Sequence, residues 1–255
     1  MVSKTYVLIP DSHAHPDHPN TRADYLSRLL IDIKPDVVVN MGDQFDMASL
    51  SSYDKGKRAF TGRSYKKDID AGLEFHDRVW GPVRATKKKL PYSVYLIGNH
   101  EERIDRALDL SPELEGTIGY KDLDLERYYD DVVHYSGSTP GVIELDGILF
   151  AHFYISGIMG RPTGGEHPAH MLLSKVKQSA VAGHSHLLDV CFQTTQVSKP
   201  WNGLITGCYL DYIPSWAGDQ ARLWKSGVSV LRNVENGSFD FQWISIEALK
   251  KEYST

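Results

Sequence analysis

The segment DVVVNMGD (residues 36–43) is an unbroken apolar run that closes on polar residues. It does not alternate, so both faces of the strand it predicts are covered, as in the interior of a largely parallel sheet. Two other segments repeat the pattern: TYVLIP (5–10) runs into Asp11 and His13, and YSVYLIGNH (92–100) runs into Asn99 and His100. Between them, TRADYLSRLLIDIK (21–34) places Leu26, Leu29, Leu30 and Ile33 at helical spacing, and a second helix is expected over about 68–88. Strand, helix, strand, helix, strand predicts an α/β layer. In such layers ligand sites lie beyond the carboxyl ends of the strands, where these polar clusters fall.

The second half reads differently. GVIELDGILFAHF (141–153) predicts a hairpin turning at Asp146-Gly147. A short helix over about 168–178 leads to AVAGHSH (180–186), a strand that ends in histidines. DVCFQTTQ, GLITGCYLDY, GVSVLRNV and SFDFQWISI then supply mostly antiparallel strands, with Asn236-Gly237 as another turn. The expectation is a mixed α/β sandwich, with residues 1–255 forming a single domain.

With 255 residues, 41% apolar and 24% charged, the composition is that of a soluble globular enzyme. A net charge of −5 argues against a protein that coats nucleic acid, although Lys55, Lys57, Arg58, Arg63, Lys66 and Lys67 form a local basic run. Tyr53, Phe60 and Tyr65 interleave with it, a pattern able to stack on bases while the cations hold a phosphodiester backbone. Cys191 and Cys208 lack metal spacing and read as reduced core residues. The first apolar run is too short for a signal peptide, and no stretch reaches the roughly 18 apolar residues of a membrane span. A cytoplasmic protein with no membrane partner is expected.

Every strand end carries metal-capable groups: Asp11 and His13; Asp43 and Asp46; Asn99 and His100; His152; His184 and His186. Residues two apart in an extended segment share a side, which pairs Asp11 with His13 and His184 with His186. Mixed oxygen and imidazole donors suit Mn, Fe, Zn or Ni better than Ca or Mg. His13-x-His15 could instead open an amidohydrolase-like site, but that leaves GNHE and GHSH without a role. A non-catalytic binding module on the same scaffold is a third reading, marked by lost ligands, and none of these positions is lost.

D-x-H at 11–13, GDQFD at 42–46, GNHE at 98–101, His152 in FAHF and GHSH at 183–186 occur in the order found in the calcineurin-like metallophosphoesterases. The chain resembles that superfamily over residues 11–186, and GLITGCYLDY looks like compact bacteriophage members. The resemblance implies a four-layer α/β/β/α sandwich with mixed sheets and a pair of divalent transition metal ions, Mn foremost. It puts Asp11, His13, Asp43 and His186 on one ion, and Asp43, Asn99, His152 and His184 on the other. The physics supports a shared Asp43, because cations about 4 Å apart need an anionic bridge, here a carboxylate with a hydroxide that serves as nucleophile.

The implied activity is phosphoester hydrolysis, with phosphodiesters of nucleic acid or cyclic nucleotides favoured over phosphomonoesters. His100 becomes the general acid for the leaving group, and Asp46 the carboxylate that orients it. Two departures stand out. Met47 occupies the place of the phosphate-gripping Arg of Ser/Thr protein phosphatases, and Phe153 interrupts the usual HGG. Phosphate must then be gripped from elsewhere, with His15, Arg103 and Arg161 as the candidate substrate contacts.

Overall fold

The computed structural model describes residues 3–86 and 88–254. Strand β1 (Lys4–Ile9) is followed by helix α1 (Thr21–Ile33), β2 (Val37–Asn40), α2 (Tyr65–Ala85), β3 (Tyr92–Leu96), α3 (Arg103–Leu110) and β4 (Asp131–Val133). β1, β2, β3 and β4 pair in parallel, in that order. The apolar run at 36–43 behaves as its composition requires. Val38 faces the helices, whereas Val37 and Val39 face the other way, and all three are buried. β1 divides likewise, with Val7 and Ile9 on the helix side and Tyr6 and Leu8 opposite.

Helix α1 stops where the chain must turn into β2. Lys34 adopts a left-handed conformation (φ 51°), its N–H bonds to the Leu30 carbonyl, and Pro35 follows. α2 begins at Tyr65, three residues before the expected start, directly after Ser64 in an extended conformation; short 3-10 turns at Ser52–Asp54 and Arg58–Phe60 precede it.

The hairpin is formed by β5 (Ile143–Leu145) and β6 (Ile148–Ala151), with Asp146 and Gly147 both at positive φ in its turn. A two-stranded ribbon follows, β7 (Ile155–Ser156) and β8 (Arg161–Pro162), then α4 (Pro168–Val176) and β9 (Ala180–Ala182). β10 (Leu188–Thr194) and β11 (Pro200–Thr206) complete a five-stranded sheet ordered β10-β11-β9-β6-β5. β12 (Gly227–Glu235) and β13 (Ser238–Ser245) do not join it. They return to the first sheet, β12 pairing antiparallel with β1, and α5 (Ile246–Tyr253) closes the described chain.

The first sheet is therefore six-stranded and mixed, parallel from β1 to β4 as expected and antiparallel at β12 and β13, ordered β13-β12-β1-β2-β3-β4. The GLITGCYLDY stretch is a strand only to Thr206. Gly207 (φ 81°) bends the chain, and Cys208 makes isolated bridges to Asp11 and Ser226. Cys191 and Cys208 are both free thiols.

One apolar layer packs Leu26, Leu30, Phe75, Val79, Trp80 and Leu249 of α1, α2 and α5 on the first sheet. A second packs Tyr6, Leu8, Val39, Met41, Val94 and Leu96 against Ile148, Phe150, Val181 and Leu204 of the other sheet. Ala169 and Leu172 of α4 cover the remaining face of that sheet at Ala180, Ala182 and Ile205. Burying each of the larger of these side chains contributes about 1.5–3 kcal/mol. This packing points the carboxyl ends of β1, β2 and β3 toward those of β6 and β9. No helix among the described residues is long and apolar enough to cross a membrane.

Candidate metal centre

Nine polar side chains converge where those strand ends meet. Asp11, His13, Asp43, Asp46, His100, His152 and His186 are buried, and Asn99 and His184 are partly exposed. His13, Asp43, His184 and His186 all have left-handed backbones, with φ of 41°, 51°, 66° and 59°. None is glycine, so each conformation costs free energy that the surroundings must impose, as is common where side chains are aimed at a ligand. Two glycines give the carboxylates room. A Cβ on Gly98 would fall 2.2 Å from Asp43 Oδ1, and one on Gly183 would fall 2.6 Å from Asp11 Oδ1.

Three sets of donor atoms lie close enough to share an ion: Asp11, His13 and His186; Asp43, His152 and His184; and His13, Asp43 and His100. The hydrogen bonding fits cations there. His152 Nδ1 is 2.7 Å from the Met41 carbonyl, which can only accept, so Nδ1 carries a proton. Its Nε2 faces Asn99 Oδ1 at 3.1 Å and Asp43 Oδ2 at 3.3 Å. A neutral imidazole would there meet acceptors with a lone pair.

Burial opposes charge on His152, but the Asp43 carboxylate overrides it, with help from Asp11, and pushes the imidazole up to about 10. The position thus draws a positive charge from whatever is present. His184 Nδ1 is buried without a hydrogen-bond partner among the described residues, a further mark of unmet valence.

The other ionisation states suit ligands. Burial, with the neighbouring His100, holds His13 down to about 4, and burial with His152 does the same for His184. Burial pushes Asp43 upward, but His152 and His100 outweigh it and hold the carboxyl well below its usual range. Asp46 is held low in the same way, against its burial, by hydrogen bonds from His100 and His13. These buried His/Asp groups have the composition and spacing to hold metal ions.

Asp46 serves two histidines rather than one. Its Oδ1 accepts from His13 Nδ1 at 3.1 Å and lies 3.3 Å from His100 Nδ1. The shortest His100 contact is 2.6 Å from Nδ1 to the Asp46 backbone carbonyl. Arg103 Nη2 is 3.0 Å from His100 Nε2 and can only donate, so the His100 proton sits on Nδ1. To act as a general acid His100 would carry a second proton on Nε2, which requires the Arg103 contact to open.

The sequence reading made Arg103 a phosphate contact. Its Nη1 donates to the carbonyls of Asp46 and Met47, and it braces the loop after β2. Arg161 lies exposed on the β7–β8 ribbon and lines neither cavity beside the cluster. His15 is half-buried, with Nε2 4.0 Å from Asp46 Oδ2. Half of the basic run is paired: Arg63 bonds Asp54 and the Ala48 carbonyl, Lys66 bonds Asp70, and Lys57 lies 3.8 Å from Asp54.

Residues with no role in the sequence reading complete the centre. Glu101, the last letter of GNHE, is buried and accepts from the N–H groups of Asp43, Phe45 and Gly98 and from the Tyr95 hydroxyl. Arg22 is buried and donates to the carbonyls of Ser12, Pro19 and Tyr209, tying the His13 loop to the chain after β11. Trp216 lies against the rings of His13, His100 and His186, with centroids 5.6, 6.1 and 6.1 Å away. The cluster opens into a cavity of about 360 Å³ lined by His13, Asp43, Asn99, His184, His186 and Trp216. Trp216 is also a wall of a second cavity of about 390 Å³, which contains His15, Asp46, Arg63 and Arg103.

No protein-family model matches the chain, and no curated protein matches it. Among solved structures, TT1561 of Thermus thermophilus aligns with 96% of this chain and 100% of its own, at 10% identity and a TM-score of 0.40.

Proposed function

We propose that the protein is a metal-dependent phosphoesterase that prefers phosphodiesters, built as a four-layer α/β/β/α sandwich. The observation that carries this reading is the meeting of His152 Nε2, Asn99 Oδ1 and Asp43 Oδ2, a point where the carboxylate calls for positive charge, next to the Asp11, His13 and His186 set. Asp11, His13, His186 and Asp43 would hold one divalent transition metal ion, and Asp43, Asn99, His152 and His184 the other, with Mn favoured. When bound, such ions supply Lewis-acid charge that activates water and offsets phosphoryl charge.

The chain's own residues do the rest. Asp46 fixes the tautomer of His13, the Met41 carbonyl fixes that of His152, and Arg103 with Asp46 sets the orientation of His100. The preference for diesters is supported by the two cavities meeting at Trp216, which leave room for an ester arm on each side of the cluster.

The test loads the protein with Mn²⁺, measures bound metal, and compares hydrolysis of bis(p-nitrophenyl) phosphate with p-nitrophenyl phosphate. Bound metal with faster diester cleavage is the expected result. Faster monoester cleavage would sink the diester preference, and no turnover of either would sink the enzyme reading.

A further inference from the structure

Resting on that reading, we propose that the second cavity is a nucleobase subsite, which makes the substrate a small nucleotide ester rather than a polynucleotide. Its position is the first argument. Asp46 and Trp216 stand between this cavity and the cluster, so a phosphoryl group held at the cluster would extend its organic arm past Trp216 into it.

Charge is the second argument. Among the described residues, the two arginines of this cavity are already committed. Arg63 bonds Asp54 and the Ala48 carbonyl, both at 2.8 Å, and Arg103 bonds two carbonyls and His100. Asp17, with 85% of its side chain exposed, adds a carboxylate to the rim. The carboxylates of Asp17, Asp46 and Asp54 outnumber these two guanidiniums in the lining, a balance that disfavours a second phosphate or a polyanionic backbone. Carboxylates do accept from the exocyclic amino groups of a base.

Shape is the third. Tyr53, Ile213 and Trp216 are exposed by 76%, 72% and 44%, an unusual concentration of apolar surface around one opening. Inside, His18 stacks on Tyr212 with centroids 3.7 Å apart and planes 10° from parallel, a pair that stiffens the floor of the cavity. The exposed rings of Tyr53 and Trp216 are of the kind that bind bases by stacking. The volume, about 390 Å³, lies in the ordinary range for small-molecule sites.

The test measures adenosine and ribose binding to the full chain by ligand-observed NMR, with bis(p-nitrophenyl) phosphate hydrolysis followed on the same Mn²⁺-loaded preparations. Adenosine should bind at least about tenfold tighter than ribose, and Trp216→Ala and Tyr53→Ala should each erase most of that difference. Both side chains are surface-exposed, and circular dichroism checks that the variants fold.

Hydrolysis by a protein that does not distinguish adenosine from ribose, or a preference that survives both substitutions, overturns the subsite alone. Adenosine binding that depends on Trp216 and Tyr53 without any ester hydrolysis upholds the subsite and overturns the phosphoesterase reading. Single-stranded DNA binding tighter than adenosine at physiological salt overturns the restriction to small substrates.

Discussion

His13 and His186 face each other through their Nε2 atoms, 3.0 Å apart. His13 spends its Nδ1 proton on Asp46, so its Nε2 presents a lone pair, and His186 Nε2 also lies 3.3 Å from Asp11 Oδ2. Two imidazole nitrogens and a carboxylate oxygen around one point are stabilised by a cation. Divalent metal should therefore bind the folded chain selectively. At a hundredfold excess over its dissociation constant it adds about 2.7 kcal/mol, which raises Tm by roughly 5–10 °C for a chain of this size. Scanning calorimetry with Mn²⁺ and with chelator measures this, and coincident transitions would contradict a metal centre. His13→Ala and Asp43→Ala should each lower the bound metal.

Glu101 makes a sharper test of how the centre is held. Its two carboxylate oxygens receive only donors: Oε1 takes Tyr95 and Phe45, and Oε2 takes Asp43 and Gly98. Glu101→Gln keeps the shape but points an amide NH₂ at two of those donors. The isosteric change should therefore destabilise by about 2–3 kcal/mol, nearly as much as Glu101→Ala. Urea unfolding gives the number. A Gln variant of wild-type stability would mean that the buried network does not govern this loop.

The residues able to hold metal were more legible in the sequence than their surroundings, for a physical reason. Asp11, Asp43, Asn99, His152 and His184 each follow an apolar strand, and strand periodicity is local, so each strand end could be read without coordinates, whereas their grouping into one site rested on the family resemblance. Trp216, Arg22 and the Met41 carbonyl act across the fold on residues more than 100 positions away, through packing that no local pattern encodes. The same limit explains β12, whose apolar run is legible as a strand although its pairing with β1 is not. Arg103 and Arg161 stand out in the sequence only by charge and nearness to the motifs. The fold turns the first onto backbone carbonyls and leaves the second on a ribbon.

Acid sensitivity should have a source outside the metal centre. His76 is fully buried among Phe45, Tyr95, Tyr128 and Tyr129, its Nε2 has no hydrogen-bond partner among the described residues, and burial pushes its imidazole down to about 3. The unfolded chain takes up this proton near pH 6.5 and the folded chain does not. The resulting stability is full above about pH 6.5 and falls as the pH drops toward 3. The loss between pH 7.5 and pH 5 is about 2 kcal/mol. His76→Phe should flatten that part of the pH–stability curve, as read by urea unfolding at several pH values. An unchanged slope would assign the acid sensitivity to other groups.

His100 can serve either of two roles, and its geometry allows them to be separated. Its Nε2 is 3.9 Å from Asp43 Oδ2, within the set of atoms that could hold an ion, yet it now accepts from Arg103. If it delivers a proton to the leaving group, the Arg103 contact must give way when substrate enters. His100→Ala should then leave the bound metal at the wild-type level and lower turnover by about 10²–10⁴. The loss should be larger for an alkyl ester, whose alkoxide needs the proton, than for p-nitrophenolate, which leaves readily without one. Metal analysis beside turnover on both esters decides the matter. Equal losses on both esters with reduced metal would make His100 a ligand, and the leaving group would have to draw its proton from elsewhere.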